Sequence, residues 1–279
     1  MHSEIYLNFW QLMAILVINL GFVNCQTSEA QMESTHHPID SLKKNPFKNS
    51  SIVQKDTNKI KYPSLILENQ EGNLAPILQK MAKGEPVQIV CFGNSITRGY
   101  KVNSFGIVDN PYPKVLEKLW QEHYKNPKIK LFNEGHNGWR SDQALNNLSN
   151  LVLNQKPHLV ILEFGINDAY SHFSTTVFEN KMQSIVNELV KYNHQVLLLT
   201  PTPITTPYNQ KVIAYCKILE KIAQKSSISF LNIHQIISQR AENEQVKKAD
   251  LLPDGVHFAD DKYAWIAEAI FEFCKGVKN

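Results

Sequence analysis

Four short segments of the chain carry residue types that could do chemistry together. Gly93-Asn94-Ser95-Ile96-Thr97 offers a hydroxyl. On a tight strand-to-helix turn a serine exposes that hydroxyl and turns its own N–H into a helix N-terminus, where developing negative charge is stabilised. Asp254-Gly255-Val256-His257 offers a base. A serine hydroxyl is a poor nucleophile near neutral pH, and imidazole titrates in the range that can take its proton. A carboxylate three residues earlier can project from the same turn and fix the other ring nitrogen. Gly165-Ile166-Asn167-Asp168 offers an amide whose two neutral N–H donors suit an oxyanion that exists only in the transition state. Asn133-Glu134-Gly135-His136-Asn137-Gly138-Trp139-Arg140 offers glycines, whose backbone N–H groups can approach a ligand unobstructed. Singly, each segment has a plain structural reading. Ser95 would be an N-cap, the glycines a turn, and Asn167 and Asp168 Asx-turns.

The elements around these segments are strands and helices in alternation. Strands are expected at 87–92, 128–132, 158–164, 195–200 and 228–232, because their Val, Ile and Leu run almost without a break, as in strands buried on both faces of a parallel sheet. Helical stripes separate them: Val115, Leu116, Leu119 and Trp120; then Phe178, Met182, Ile185, Val186 and Leu189, entered by a Thr176/Glu179 capping box. Two more follow: Val212, Tyr215, Cys216, Leu219, Ile222 and Ala223 after Pro207, and Ala267, Ile270, Phe271 and Cys274 before Lys275-Gly276. The expected fold is an α/β three-layer sandwich, α/β/α, with a five-stranded parallel sheet. In such sheets ligands bind beyond the carboxyl ends of the strands. Each of the first three expected strands runs directly into one of the four segments, and the fourth segment precedes the last helix.

The set GNS (93–95), NEGHNG (133–138), GIND (165–168) and DGVH (254–257) resembles the four blocks of the SGNH, or GDSL-type, esterases and lipases. Order and spacing match across residues 75–275. The resemblance implies the flavodoxin-like SGNH hydrolase fold and a serine esterase. It implies Ser95 as nucleophile, His257 as general base and then acid, and Asp254 as the residue orienting His257. It also implies an oxyanion hole from the Ser95 N–H, the Gly138 N–H and the Asn167 side chain, with no metal or cofactor required. The chain departs from the family at Asn94, where Asp is usual. Asn keeps the shape and hydrogen-bonding capacity without the charge, so altered loop electrostatics are expected rather than lost catalysis. A related exported branch acting on sugar esters often carries the GNS form, which favours a carbohydrate substrate. The α/β-hydrolase alternative fails because its elbow needs glycine where Thr97 stands, and its acid and histidine come from separate loops.

His136, Trp139 and Arg140 surround Gly138 and are the candidate substrate-binding residues. Trp139 would suit stacking on a sugar face and Arg140 the grip of an anionic group; otherwise Trp139 packs into the domain and Arg140 is solvated. Tyr170, His172 and Tyr208 are weaker candidates, His158 and His234 are expected to be structural, and Glu163 a buried, paired carboxylate. The absence of a long apolar lid segment points to small acyl groups on glycans, O-acetyl above all. The competing readings are a lipase, lysophospholipase or thioesterase with the same triad, an inactive glycan-binding module, and an acyltransferase.

Residues 9–23 form an apolar run short for a membrane span and sized for a signal-peptide core, although no Lys or Arg precedes it. Residues 1–25 are therefore expected to be a signal peptide, and the protein to be exported: periplasmic, secreted or lipid-anchored at the cell surface. Two exits stay open. Ser28-Glu29-Ala30 is a small-x-small cleavage site, and Phe22-Val23-Asn24-Cys25 resembles a lipobox whose lipidated cysteine would be the only membrane tether. Residues 26–62 read as a flexible polar linker, and 63–279 as the hydrolase domain. His36-His37 lacks further ligands, and Cys25, Cys91, Cys216 and Cys274 lack the paired spacing of a zinc site. The 279 residues are 43% hydrophobic, ample for a packed core. Net charge is +3, but residues 41–62 alone carry +5, leaving −2 for the remainder. The mild basicity belongs to the linker and gives no support to nucleic-acid binding. None of these features specifies an oligomeric state.

Overall fold

The three most apolar runs become the centre of one sheet. The structure, a computed structural model, describes residues 74–276. Strands β1 (Val87–Gly93), β2 (Ile129–Gly135), β3 (Leu159–Glu163), β4 (Gln195–Leu199) and β5 (Ser229–Leu231) pair in parallel in the order β2-β1-β3-β4-β5. All five residues of β3 are buried, as befits a strand covered on both faces. Ten α-helices lie among the described residues: α1 (Ala75–Ala82), α2 (Ser95–Arg98), α3 (Tyr112–Tyr124), α4 (Ser141–Leu151), α5 (Ile166–Tyr170), α6 (Thr175–Lys191), α7 (Asn209–Ser226), α8 (Ile233–Asn243), α9 (Lys248–Leu251) and α10 (Ala264–Gly276). Helix α10 packs on α3 and α8, while α6 packs on α4 and α7, giving the two outer layers. The stripes read from sequence are the faces that pack: Phe178, Met182, Ile185, Val186 and Leu189 of α6 are all buried.

Two expectations need correction. The second strand is not buried on both faces, and it continues past residue 132 to Gly135. It is an edge strand with Lys130 and Asn133 exposed and Phe132 41% exposed. Its outer backbone is covered from α3: Glu117 Oε2 accepts from Leu131 N at 2.7 Å, and Gln121 Nε2 donates to Ile129 O at 2.8 Å. A helix side chain thus occupies groups that would otherwise template another strand. The capping box expected at Thr176 does not form. Ser174 reaches the backbone first, accepting from Val177 N at 3.2 Å, and α6 starts at Thr175.

The strand order places the site. The chain leaves β1 for the β2 edge and then crosses back to β3, so the direction of winding reverses between β1 and β3. In open parallel sheets ligands bind at such a switch point, beyond the carboxyl ends of the two strands. Ser95 follows β1 and Asn167 follows β3. The signal-peptide, lipobox and linker expectations, with Cys25 and His36-His37, lie outside the described residues.

Candidate active site

Strand β1 ends in a one-turn helix because Asn94 stops the extended chain. Asn94 is fully buried in an extended conformation, and its Oδ1 accepts from Ile96 N at 2.8 Å, capping α2. The cap leaves Ser95 as the first helical residue, 8% exposed, with its N–H free of intrahelical use. The turn is pressed against β2: a Cβ on Gly135 would sit 2.1 Å from Arg98 N and 2.5 Å from Arg98 Cα, so only glycine lets the two backbones approach.

The other end of the Asn94 side chain donates from Nδ2 to Glu163 Oε1 at 3.2 Å. Glu163 is 1% exposed, and burial pushes its carboxyl up to about 8, with the Asn94 hydrogen bond pulling the other way. Glu163 is buried and paired, as expected, but its partner is an amide rather than a cation, and burial favours its protonated form. Aspartate at position 94 would set a second carboxyl against it, whereas Asn supplies a donor and still caps α2.

His257 faces Ser95 from the loop between α9 and α10. Ser95 Oγ lies 2.8 Å from His257 Nε2, and His257 Nδ1 lies 2.7 Å from Asp254 Oδ2. A carboxylate can only accept, so Nδ1 carries the proton and Nε2 is left to accept from the Ser95 hydroxyl. Burial pushes the Asp254 carboxyl up, but hydrogen bonds from the His257 ring and from the N–H groups of His257 and Val256 outweigh it and hold the group at about 2. The loop is anchored by Thr205 N donating to Gly255 O at 2.9 Å, and the Tyr100 ring lies 4.4 Å from the His257 ring.

The loop after β2 brings the remaining donors. His136 N donates to Gly93 O at 3.0 Å, tying this loop to the end of β1. Gly138 has φ +74, a left-handed conformation that glycine adopts freely, and is exposed. Asn167 Nδ2 donates to Trp139 O at 2.9 Å, which ties its amide to the chain one residue after Gly138, and an amide nitrogen carries a second N–H that could serve another acceptor. Asp168 does not make the expected Asx-turn. Its Oδ1 accepts from Ser141 N at 3.0 Å and from Ser141 Oγ at 2.5 Å, across to the start of α4.

The candidate substrate residues divide. Trp139 is half-buried against the core and stacks on His136, ring centroids 4.1 Å apart at 19°. Burial lowers the His136 pKa, favouring the neutral ring in that stack. Arg140 is not solvated and unpaired: Nε and Nη2 each donate to Asp142 at 3.0 Å, and the guanidinium lies 5.3 Å from the Phe173 ring centroid. Tyr170 and Tyr208 pack on each other, with the Tyr170 hydroxyl donating to Thr206. His158 is structural, its Nδ1 accepting from Gln88 N, and His234 bonds Asn209 Oδ1 at 3.0 Å. Sequence reasoning missed Ser141, which reads as an ordinary helix cap, and Tyr100, which carries no local signal of its place over His257.

The chain is similar to known proteins in sequence and in fold. The GDSL-like Lipase/Acylhydrolase family matches residues 91–265, more than half of the chain. Thioesterase 1/protease 1/lysophospholipase L1 of Escherichia coli (strain K12) is 24% identical over 183 residues, covering 64% of this chain and 79% of that protein. An acetylxylan esterase of Geobacillus stearothermophilus is 26% identical over 200 residues, 64% of this chain and 88% of that one. The crystal structure of an acetylxylan esterase from the same organism is similar in fold, with a TM-score of 0.59 at 20% identity over 69% of this chain and 97% of that one. The chain belongs to the GDSL-like lipase/acylhydrolase family of SGNH hydrolases and is a carboxylic ester hydrolase.

Proposed function

We propose that Ser95, His257 and Asp254 act as a triad that hydrolyses small acyl esters, chiefly O-acetyl groups on carbohydrates. The observation that carries this reading is the unbroken line of hydrogen bonds from Ser95 Oγ to His257 Nε2 (2.8 Å) and from His257 Nδ1 to Asp254 Oδ2 (2.7 Å). Ser95 Oγ attacks the ester carbonyl carbon as its proton passes to Nε2. The carbonyl oxygen becomes an oxyanion held by the N–H groups of Ser95 and Gly138 and the Asn167 amide. The bond to the alcohol then breaks, and the alcohol leaves with the proton from Nε2. Water repeats the sequence on the acyl-serine, and the acid and free enzyme result.

Ser95→Ala tests the reading: turnover of p-nitrophenyl acetate should fall by about 10⁴-fold or more while the thermal melt stays in place. Undiminished turnover would refute Ser95 as nucleophile.

The substrate class rests on three supports: the GNS form of the first block, the likeness to an acetylxylan esterase, and the Trp139–His136 stack beside Gly138. The likeness to a thioesterase and lysophospholipase favours a second reading, cleavage of long acyl chains by the same triad. A chain-length series of p-nitrophenyl esters beside acetylated xylan separates the two. Faster cleavage of long-chain esters than of either acetyl substrate would reject the O-acetyl reading, and acyl groups recovered on an acceptor sugar would mark a transferase. Export of the protein belongs to the same proposal. The mature N-terminus in the native host should begin at a lipidated Cys25 or after Ala30, and an intact Met1 would rule out both exits.

A further inference from the structure

Asn167 and Asp168 are consecutive residues, and they grip the chain on either side of Arg140. Asn167 Nδ2 donates to Trp139 O, and Asp168 Oδ1 accepts from both the N–H and the hydroxyl of Ser141. These bonds close a small ring running Trp139-Arg140-Ser141 and back through Asp168-Asn167. The ring couples the segment carrying Gly138 to the first turn of α5. Two of the three proposed oxyanion donors, the Gly138 N–H and the Asn167 amide, stand on the two sides of that ring.

Ser141 opens α4 but does not cap it. The bond at that helix start runs from Arg140 N to Gln143 Oε1 at 3.1 Å, and the Ser141 hydroxyl goes to Asp168. Asp168 and Ser141 are both fully buried, and Asp168 Oδ2 has no hydrogen-bond partner among the described residues. Burying a carboxyl is costly, and burial does raise the Asp168 pKa against the pull of the Ser141 bonds. An ordinary loop closure has no need of so costly a group. A device that holds two donors at a fixed separation does, because a carboxylate oxygen accepting two bonds is a stiffer anchor than a neutral acceptor.

We propose that Ser141 and Asp168 are positioning residues that set the separation of the Gly138 N–H and the Asn167 amide, and so the strength of the oxyanion hole, without touching substrate. The proposal rests on the reading of those donors as the oxyanion hole of a Ser95 esterase. Oxyanion donors act over a narrow range, about 2.7–3.1 Å, so a small relaxation of the loop weakens them together. The loss should appear in kcat and leave KM nearly unchanged, because the donors meet charge that develops only in the transition state.

A double-mutant cycle tests it, with Ser141→Ala, Asn167→Ala and the double variant assayed on p-nitrophenyl acetate beside Ser95→Ala. Removing one oxyanion donor outright costs about 10²–10³ in kcat, so Asn167→Ala should approach that range and Ser141→Ala should cost roughly 10-fold. In the Asn167→Ala background the ring is already open, because the bond from Asn167 Nδ2 to Trp139 O is gone, so Ser141→Ala should cost clearly less than it does alone. Ser141→Thr, which keeps the hydroxyl, should restore kcat. Should Ser141→Ala not fold, Ser141→Cys, with its weak thiol donor, takes its place in the cycle and should show the same non-additivity. Additive losses, a change confined to KM, or an unaffected kcat would overturn the positioning role. Full turnover by Ser95→Ala would instead overturn the reading beneath it, so the two failures are distinguishable.

Discussion

The site is assembled from two halves that are held in different ways. Ser95, Gly138 and Asn167 follow three neighbouring parallel strands, and what fixes them is long-range and buried: Asn94 bonds Glu163, Asp168 bonds Ser141, and Gly135 lies against Arg98. Asp254 and His257 come from a loop with no strand before it. That pair organises itself within four residues, the Asp254 carboxylate accepting from the Val256 N–H, the His257 N–H and the His257 ring. It is also wetter, with the Asp254 side chain 34% exposed, while Asn94 and Asp168 are fully buried. The sheet half gains precision by sharing the rigidity of the core. The loop half gains it mainly from hydrogen bonds within the loop, with one long-range tie from Thr205 N to Gly255 O.

Among substitutions that spare the nucleophile, the largest effect should come from the loop half. Asp254→Asn can hold the ring but presents an amide to Nδ1 and favours the wrong tautomer, so kcat should fall by roughly 10⁴. The thermal melt should stay nearly where it is, because the side chain is partly exposed and its bonds are local. A large loss of melting temperature would show that this loop is not a separable unit. Gly135→Ala attacks the sheet half. The new Cβ meets backbone atoms of Arg98 and Thr97, at 2.1 to 2.7 Å, which cannot rotate away. Helix α2 must shift and Ser95 with it, costing about 1–3 kcal/mol of stability and up to about 10² in kcat. Here rate and stability should fall together; a fall in one alone would break the contrast between the halves.

How much of this was legible in the sequence follows the same division. The DGVH segment could be read as a unit because its acid and base lie on one turn. The sheet-borne segments could be read because each follows an apolar run, and the carboxyl end of a parallel strand is where ligands bind. What could not be read were the long-range supports. Ser141 is 27 residues from Asp168 in the chain, and a serine before an amphipathic helix reads as its cap. Asn94 and Glu163 are 69 residues apart and meet only because β1 and β3 pair. The edge position of β2 did leave a trace. Lys128 and Lys130 interrupt its apolar run, and both are exposed, whereas the runs of β3 and β4 carry no lysine.

Glu163→Gln probes the buried floor of the sheet half with the smallest change in shape, and its effect depends on pH. Burial raises the carboxyl from its ordinary 4.5 to about 8, opposed by the Asn94 bond and reinforced by the negative Asp168 nearby. The folded protein therefore holds a proton that the unfolded chain has released. Such a group contributes fully below pH 4.5, and its contribution drains away as pH rises to about 8. Each unit of difference is worth about 1.4 kcal/mol, so the wild-type protein should lose on the order of 4 kcal/mol over that window from this group alone. Glutamine imitates the neutral acid, accepts from Asn94 and has no proton to lose. Melting temperatures of the two proteins should therefore agree near pH 4.5 and separate steadily towards pH 8, with the Gln variant the more stable. Asp254→Gln would not reproduce this, because the Asp254 carboxyl is held low and loses stability only in acid. Parallel melting curves for wild type and Glu163→Gln across the window would mean that Glu163 is ionised in the fold, and that the sheet half tolerates a buried charge beneath its nucleophile.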